Sequence, residues 1–117
     1  MYTLKLEHGF AAAHKLEHAY SEECNNYTHG HNWKVIVTIQ TNELKNGVVL
    51  DFKKIKEIIN KLDHRNLNSI LTFEPTAENI AKHLYEEITI AAMIKERLCL
   101  VEVEVFEADK ASVKYSI

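Results

Sequence analysis

The chain has 117 residues, 46 % of them apolar and 26 % charged, with a formal net charge of −3. These values describe one globular domain, 1–117, and the lack of any Lys/Arg-rich run argues against nucleic acid as the main partner. The longest uncharged apolar stretch, Ile88 to Ile94, is too short to span a bilayer, so no membrane partner is expected.

The N-terminus, Met1 to His8, has no basic region followed by an apolar core, so no secretory signal is expected and the protein is placed in the cytoplasm. Residues 2–14 alternate: Tyr2, Leu4, Leu6, Phe10 and Ala12 share one parity, Thr3, Lys5 and Glu7 the other. That is the period of a half-buried strand. Residues 31–41 alternate again, Trp33, Val35, Val37 and Ile39 against Asn32, Lys34, Thr38 and Gln40, with Ile36 the exception. A helix is predicted from the N-cap Asp51, its apolar face formed by Ile55, Ile58, Ile59 and Leu62. A second follows Pro75, capped by Thr76 and striped by Ile80, Leu84, Ile88 and Ala91 or Ala92. Residues 98–107 read as a third strand, with Cys99, Val101, Val103 and Val105 on one side, and 112–116 as a short fourth.

The order β-β-α-α-β-β predicts an α+β fold, an antiparallel four-stranded sheet with two helices on one face. The other face is solvated or covered by another subunit. A domain this small buries only about two thirds of its unfolded surface, so we expect an oligomer formed over an apolar open face.

The histidines carry the first chemical signal. His29 and His31 flank Gly30 and project to one side of extended backbone, on the parity of Trp33 and Val35. His14 ends the first strand on the parity of Leu4 and Phe10. If the first two strands pair antiparallel, all three imidazoles meet at one end of the sheet. Three neutral imidazoles and an open position make a catalytic Zn²⁺ site; the alternative is satisfied core or surface histidines. Cys24 precedes the pair and reads as an activated thiol, a fourth zinc ligand or a plain buried thiol. Two cysteines are expected to be reduced thiols, with Cys99 in the core. Asp63-His64 resembles a proton relay or a helix-terminal histidine favoured by the macrodipole. Glu107 continues the inward set Cys99 to Val105, so its carboxylate needs an Arg, a ligand with two adjacent N–H donors, or water at a frayed strand end.

Taken together, Phe10-Ala-Ala-Ala-His14, Cys24 through His31-Asn-Trp-Lys-Val, Val49-Leu-Asp51-Phe, Leu62-Asp-His-Arg-Asn-Leu67, Pro75-Thr-Ala-Glu-Asn79 and Val105-Phe-Glu107 resemble the 6-pyruvoyltetrahydropterin synthase and 6-carboxytetrahydropterin synthase family. The resemblance spans nearly the whole chain. It implies the tunnelling fold, in which trimers close a barrel and stack into a homohexamer with sites between subunits. It implies Zn²⁺ on His14, His29 and His31, catalysis by Cys24 with Asp63 and His64, and pterin binding by Glu107, at the opposite end of the substrate from the metal. Thr76 would approach the same pocket. The implied substrate is 7,8-dihydroneopterin triphosphate, converted to 6-carboxytetrahydropterin for deazapurines such as queuosine. Alternatives are 6-pyruvoyltetrahydropterin synthesis, an aldolase-type lyase, or a zinc-stabilised binding module with Cys24 as a ligand. Four residues separate Cys24 from His29, a spacing between those of the two synthase branches.

Overall fold

A computed structural model describes residues 1–16, 28–92 and 97–117 of the chain. In chain order the elements are β1 (Tyr2–His14), β2 (His29–Thr41), α1 (Phe52–Asn60), β3 (Arg65–Asn66), α2 (Leu67–Ile70), α3 (Ala77–Ala92), β4 (Cys99–Ala108) and β5 (Ala111–Ser116). The sheet runs β3-β1-β2-β4-β5. Its four long strands are antiparallel, as their alternation predicts. β1 and β2 pair from Tyr2 opposite Thr41 to His14 opposite His29, so the end of one strand does meet the start of the other.

Two short elements escape the sequence reading. β3 adds a two-residue parallel strand beside Ala12 and Ala13, and α2 is a single turn. Neither is long enough to show a period. What builds them is side-chain bonding to backbone. Asn66 accepts from the Asn68 N–H at 3.1 Å. Asn68 accepts from the Lys15 N–H at 2.7 Å and donates to the Lys15 carbonyl at 2.8 Å. The Asp63 Oδ1 accepts from the Ala11 N–H at 2.9 Å, and the His64 N–H donates to the Ala11 carbonyl at 2.6 Å. Segment 63–68 is therefore a clasp on the last residues of β1, the end that carries His14.

The helices form where the caps and stripes place them. The Asp51 Oδ1 accepts from the Lys53 N–H at 2.9 Å to start α1, which buries Ile55, Ile58 and Ile59. The Thr76 Oγ1 accepts from the Asn79 N–H at 3.1 Å to start α3, which buries Ile80, Leu84, Ile88 and Ala92. Both pack on the inward parity of the strands: Leu4, Phe10 and Ala12, then Trp33 to Ile39, then Cys99 to Val105. Each such side chain contributes roughly 1.5–3 kcal/mol by leaving water.

The opposite face departs from expectation. It is mostly polar and charged, with Ile36, Leu100 and Phe106 its large apolar residues. Lys34 lies 3.7 Å from Glu7 and 4.3 Å above the Phe106 ring, Lys114 lies 3.7 Å from Glu102, and Ser112 donates to Glu104 at 2.7 Å. Cross-strand pairs of this kind suit a wetted surface rather than a dry interface.

Candidate functional site

The antiparallel register brings three imidazoles to one end of the sheet. His14 stands opposite His29, and His31 stands opposite Ala12 on the same inward parity. The ring centroids of His14, His29 and His31 are 4.6–5.0 Å apart, each pair edge to face. Trp33 closes the cluster from the core side. It is 2 % exposed, stacks parallel to Phe10 at 5.8 Å, and meets His14 and His31 edge-on at 5.0 and 5.5 Å. Its indole N–H donates to the Ala12 carbonyl at 3.2 Å, which leaves no unpaired donor behind the site.

His14 is fully buried, and its Nδ1 lies 2.7 Å from the Pro75 carbonyl. A carbonyl only accepts, so Nδ1 carries the proton and Nε2 presents its lone pair to the cluster. That backbone partner is the second sphere a metal-ligating histidine ordinarily has. Sequence reasoning missed it. The signal was there in Pro75-Thr76, because an N-cap fixes the carbonyl that precedes it.

The His14 Nε2 is 3.1 Å from the His29 Nε2. The Glu107 Oε1 is 3.2 Å from the His14 Nε2 and 3.1 Å from the His31 Nε2. All four donor atoms lie within 4.8 Å of one another. Ligands at about 2.0–2.1 Å around a tetrahedral zinc stand about 3.3 Å apart, so the set fits one small divalent cation. The His31 Nε2 is buried, and apart from this contact with Glu107 it has no hydrogen-bond partner among the described residues. Burial pushes the His31 imidazole below its ordinary pKa, against the upward pull of the Glu107 carboxylate and together with its histidine neighbours. That direction favours the neutral ring that a metal ligand must be. Glu107 thus sits with the imidazoles and not apart from them at a far end of the pocket.

Asp63 and His64 form a pair of their own. The His64 Nδ1 is 3.0 Å from the Asp63 Oδ2, and its side chain is 84 % exposed. The Asp63 carboxyl is held below its ordinary range, chiefly by the Ala11 N–H and then by His64. His64 has φ 58°, a left-handed conformation that a non-glycine residue adopts at a cost of about 1–2 kcal/mol. Such strain gathers at functional positions. The ring does not enter the histidine cluster. It borders a groove of about 520 Å³ that His31 also lines. The Thr76 hydroxyl is engaged in capping α3. Cys24 lies outside the described residues.

A small α+β domain with three imidazoles and a carboxylate gathered at one sheet end defines a class of candidate metalloenzyme. The chain belongs to the 6-pyruvoyl tetrahydropterin synthase family, whose sequence profile matches residues 3–117. It is 41 % identical over 83 residues to the dihydroneopterin monophosphate aldolase of Pyrococcus furiosus, covering 68 % of each chain. It is 35 % identical over 99 residues to a putative 6-carboxy-5,6,7,8-tetrahydropterin synthase of Archaeoglobus fulgidus, covering 81 % of this chain and 83 % of that one. The solved 6-pyruvoyl tetrahydropterin synthase of Caenorhabditis elegans superposes with a TM-score of 0.73 at 26 % identity, over 99 % of this chain and 95 % of that one. The tunnelling fold is therefore the fold of this protein.

Proposed function

We propose that the protein is a zinc-dependent lyase that cleaves the side chain of a 7,8-dihydropterin. The single observation that carries this is the convergence of His14, His29, His31 and Glu107 within 4.8 Å, in a chain of this family. His14, His29 and His31 would hold Zn²⁺ through Nε2. A zinc ion there supplies Lewis-acid polarisation of a substrate oxygen and acidifies a bound hydroxyl. Every other role falls to the chain itself. Asp63 orients His64 through Nδ1, leaving Nε2 to exchange a proton with the substrate side chain. Cys24 is assigned as its partner base by the resemblance. Glu107 accepts from the pterin amino and ring N–H groups, and its place against the imidazoles adds a contact with the metal ligands.

The specific reaction we assign is conversion of 7,8-dihydroneopterin triphosphate to 6-carboxytetrahydropterin, in deazapurine synthesis and in the cytoplasm. The Archaeoglobus relative supports it over most of both chains. A second reading, aldolase cleavage of dihydroneopterin monophosphate, is favoured by the 41 % identity to the Pyrococcus enzyme. Products separate them: acetaldehyde with carboxypterin for the first, glycolaldehyde for the second. Pyruvoyl pterin with free triphosphate would overturn both.

A further inference from the structure

The ladder between β1 and β2 ends on the histidine cluster. Its last rung is His14 opposite His29, and both rings belong to the candidate site. The end of a ladder is where it frays, because terminal pairs open at the lowest free energy. Two ligands that share such a rung are held only as well as the rung is closed.

Asn68 supplies the closure. Past His14 the strand has no further rung with β2, and β3 has already stopped at Ala13 on its outer edge. There the Lys15 N–H donates to the Asn68 Oδ1 at 2.7 Å, and the Asn68 Nδ2 donates to the Lys15 carbonyl at 2.8 Å. A side-chain amide has one carbonyl acceptor and one NH₂ donor, so it matches both backbone groups of a residue as a neighbouring strand would. An ionised aspartate offers acceptors only. The turn that carries Asn68 is fixed by other groups. Asn66 accepts from the Asn68 backbone N–H at 3.1 Å, the Leu71 N–H donates to the Leu67 carbonyl at 2.9 Å, and Leu67 is fully buried. None of these uses the Asn68 side chain, so the turn survives its removal. The His14 ring is held separately, by the Pro75 carbonyl 2.7 Å from Nδ1, and that contact requires the His14 backbone to stay in register.

We propose that Asn68 is a positioning residue of the candidate metal centre: its side chain closes the last rung of β1 and β2 and keeps His14 and His29 in the arrangement that ligates. This rests on the zinc reading above, and no pterin enters the test. Two measurements are made on the full chain. One is zinc affinity, by competition with a chromophoric chelator. The other, on zinc-free protein, is the tautomer of His14, read from two-bond ¹H–¹⁵N correlations of the imidazole. Where only part of an ensemble is competent to bind, apparent affinity falls by that fraction. Asn68→Ala should bind zinc roughly tenfold more weakly, the range of one to two net hydrogen bonds. Its His14 should show a mixture of tautomers where the parent shows the Nδ1–H form alone. Asn68→Asp keeps the acceptor for the Lys15 N–H and should fall between the two; it carries the same comparison if the alanine variant does not fold. A residue that only added stability would lower the urea midpoint and move neither readout. Parental zinc affinity in folded Asn68→Ala, or in Asn68→Asp where alanine does not fold, overturns the proposal. A tautomer mixture in the variant of a parent that itself takes up no zinc keeps the closed rung and overturns the zinc reading.

Discussion

His14 shows how little separates a core histidine from a ligand. It is as buried as the valines around it, and only the Pro75 carbonyl at Nδ1 and the ring edges at Nε2 reveal what it is prepared for. Replacing His14, His29 or His31 with Ala should abolish stoichiometric zinc, read by elemental analysis after dialysis against a chelator; full retention in each variant would remove the ligand assignment. Glu107→Gln tests the position that the sequence did not reveal. Parity identified Glu107 as inward-facing, but its neighbours depend on the side chain's own torsions. The variant removes the carboxylate that would accept from the pterin N–H groups, bonds worth about 1.5–3 kcal/mol, and with it the negative charge beside the metal-ligand nitrogens. It should therefore weaken both pterin binding and zinc retention, with an intact zinc affinity contradicting the contact at 3.1–3.2 Å. His64→Asn keeps a residue tolerant of positive φ. Unfolding should shift by no more than about 1 kcal/mol, because an exposed ion pair contributes little, while kcat falls on the order of 10²–10⁴. A large loss of stability would show that His64 is structural.

At the scale of elements, the strands and main helices were legible because their burial is periodic. The same alternation that buries Val35 and Val37 points His31 into the site. The clasp over 63–68 was not legible, since it is built from Asn and Asp side chains bonding to the backbone of a distant strand. Its Asp63 gives a pH signature. The folded carboxyl has a lowered pKa, so its contribution is fully present above the unfolded value, about 3.9, and is lost as pH falls through the folded one. The stability of the parent should thus fall more steeply below pH ~4 than that of Asp63→Asn, in urea titrations over that range. Parallel curves would show that the Ala11 bond contributes nothing through charge. Thr76 links helix to site. Thr76→Ala should cost about 1 kcal/mol through the lost cap, and because that cap fixes the Pro75 carbonyl, zinc affinity should fall with it. Loss of stability with unchanged zinc affinity would separate the cap from His14.

For the whole molecule, the polar open face changes the reason to expect assembly without removing the expectation. Ion pairs such as Lys34 with Glu7 line a wetted surface. The incompleteness lies at the sheet's edges. β3 covers only Ala12 and Ala13, so residues 2–11 of β1 have no outer strand partner among the described residues, nor does β5 on the other side. Unpaired edges favour strand addition from another copy. Sedimentation at micromolar concentration should show a trimer-based species, and a monomer would overturn the assembly. No periodicity in one chain could state this, because the partner of an edge strand is absent from the sequence that makes it.

The three imidazoles at the sheet's end are proposed to hold zinc, with the site acting on a dihydropterin side chain. The most direct test is turnover of phosphorylated dihydroneopterin by one preparation in three states: as isolated, after zinc is removed with a chelator, and after Zn²⁺ is restored. Products would be identified by mass. Cleavage of the pterin side chain is expected, with its loss on zinc removal and its recovery when one equivalent per chain is returned. Undiminished turnover by the stripped protein would contradict it.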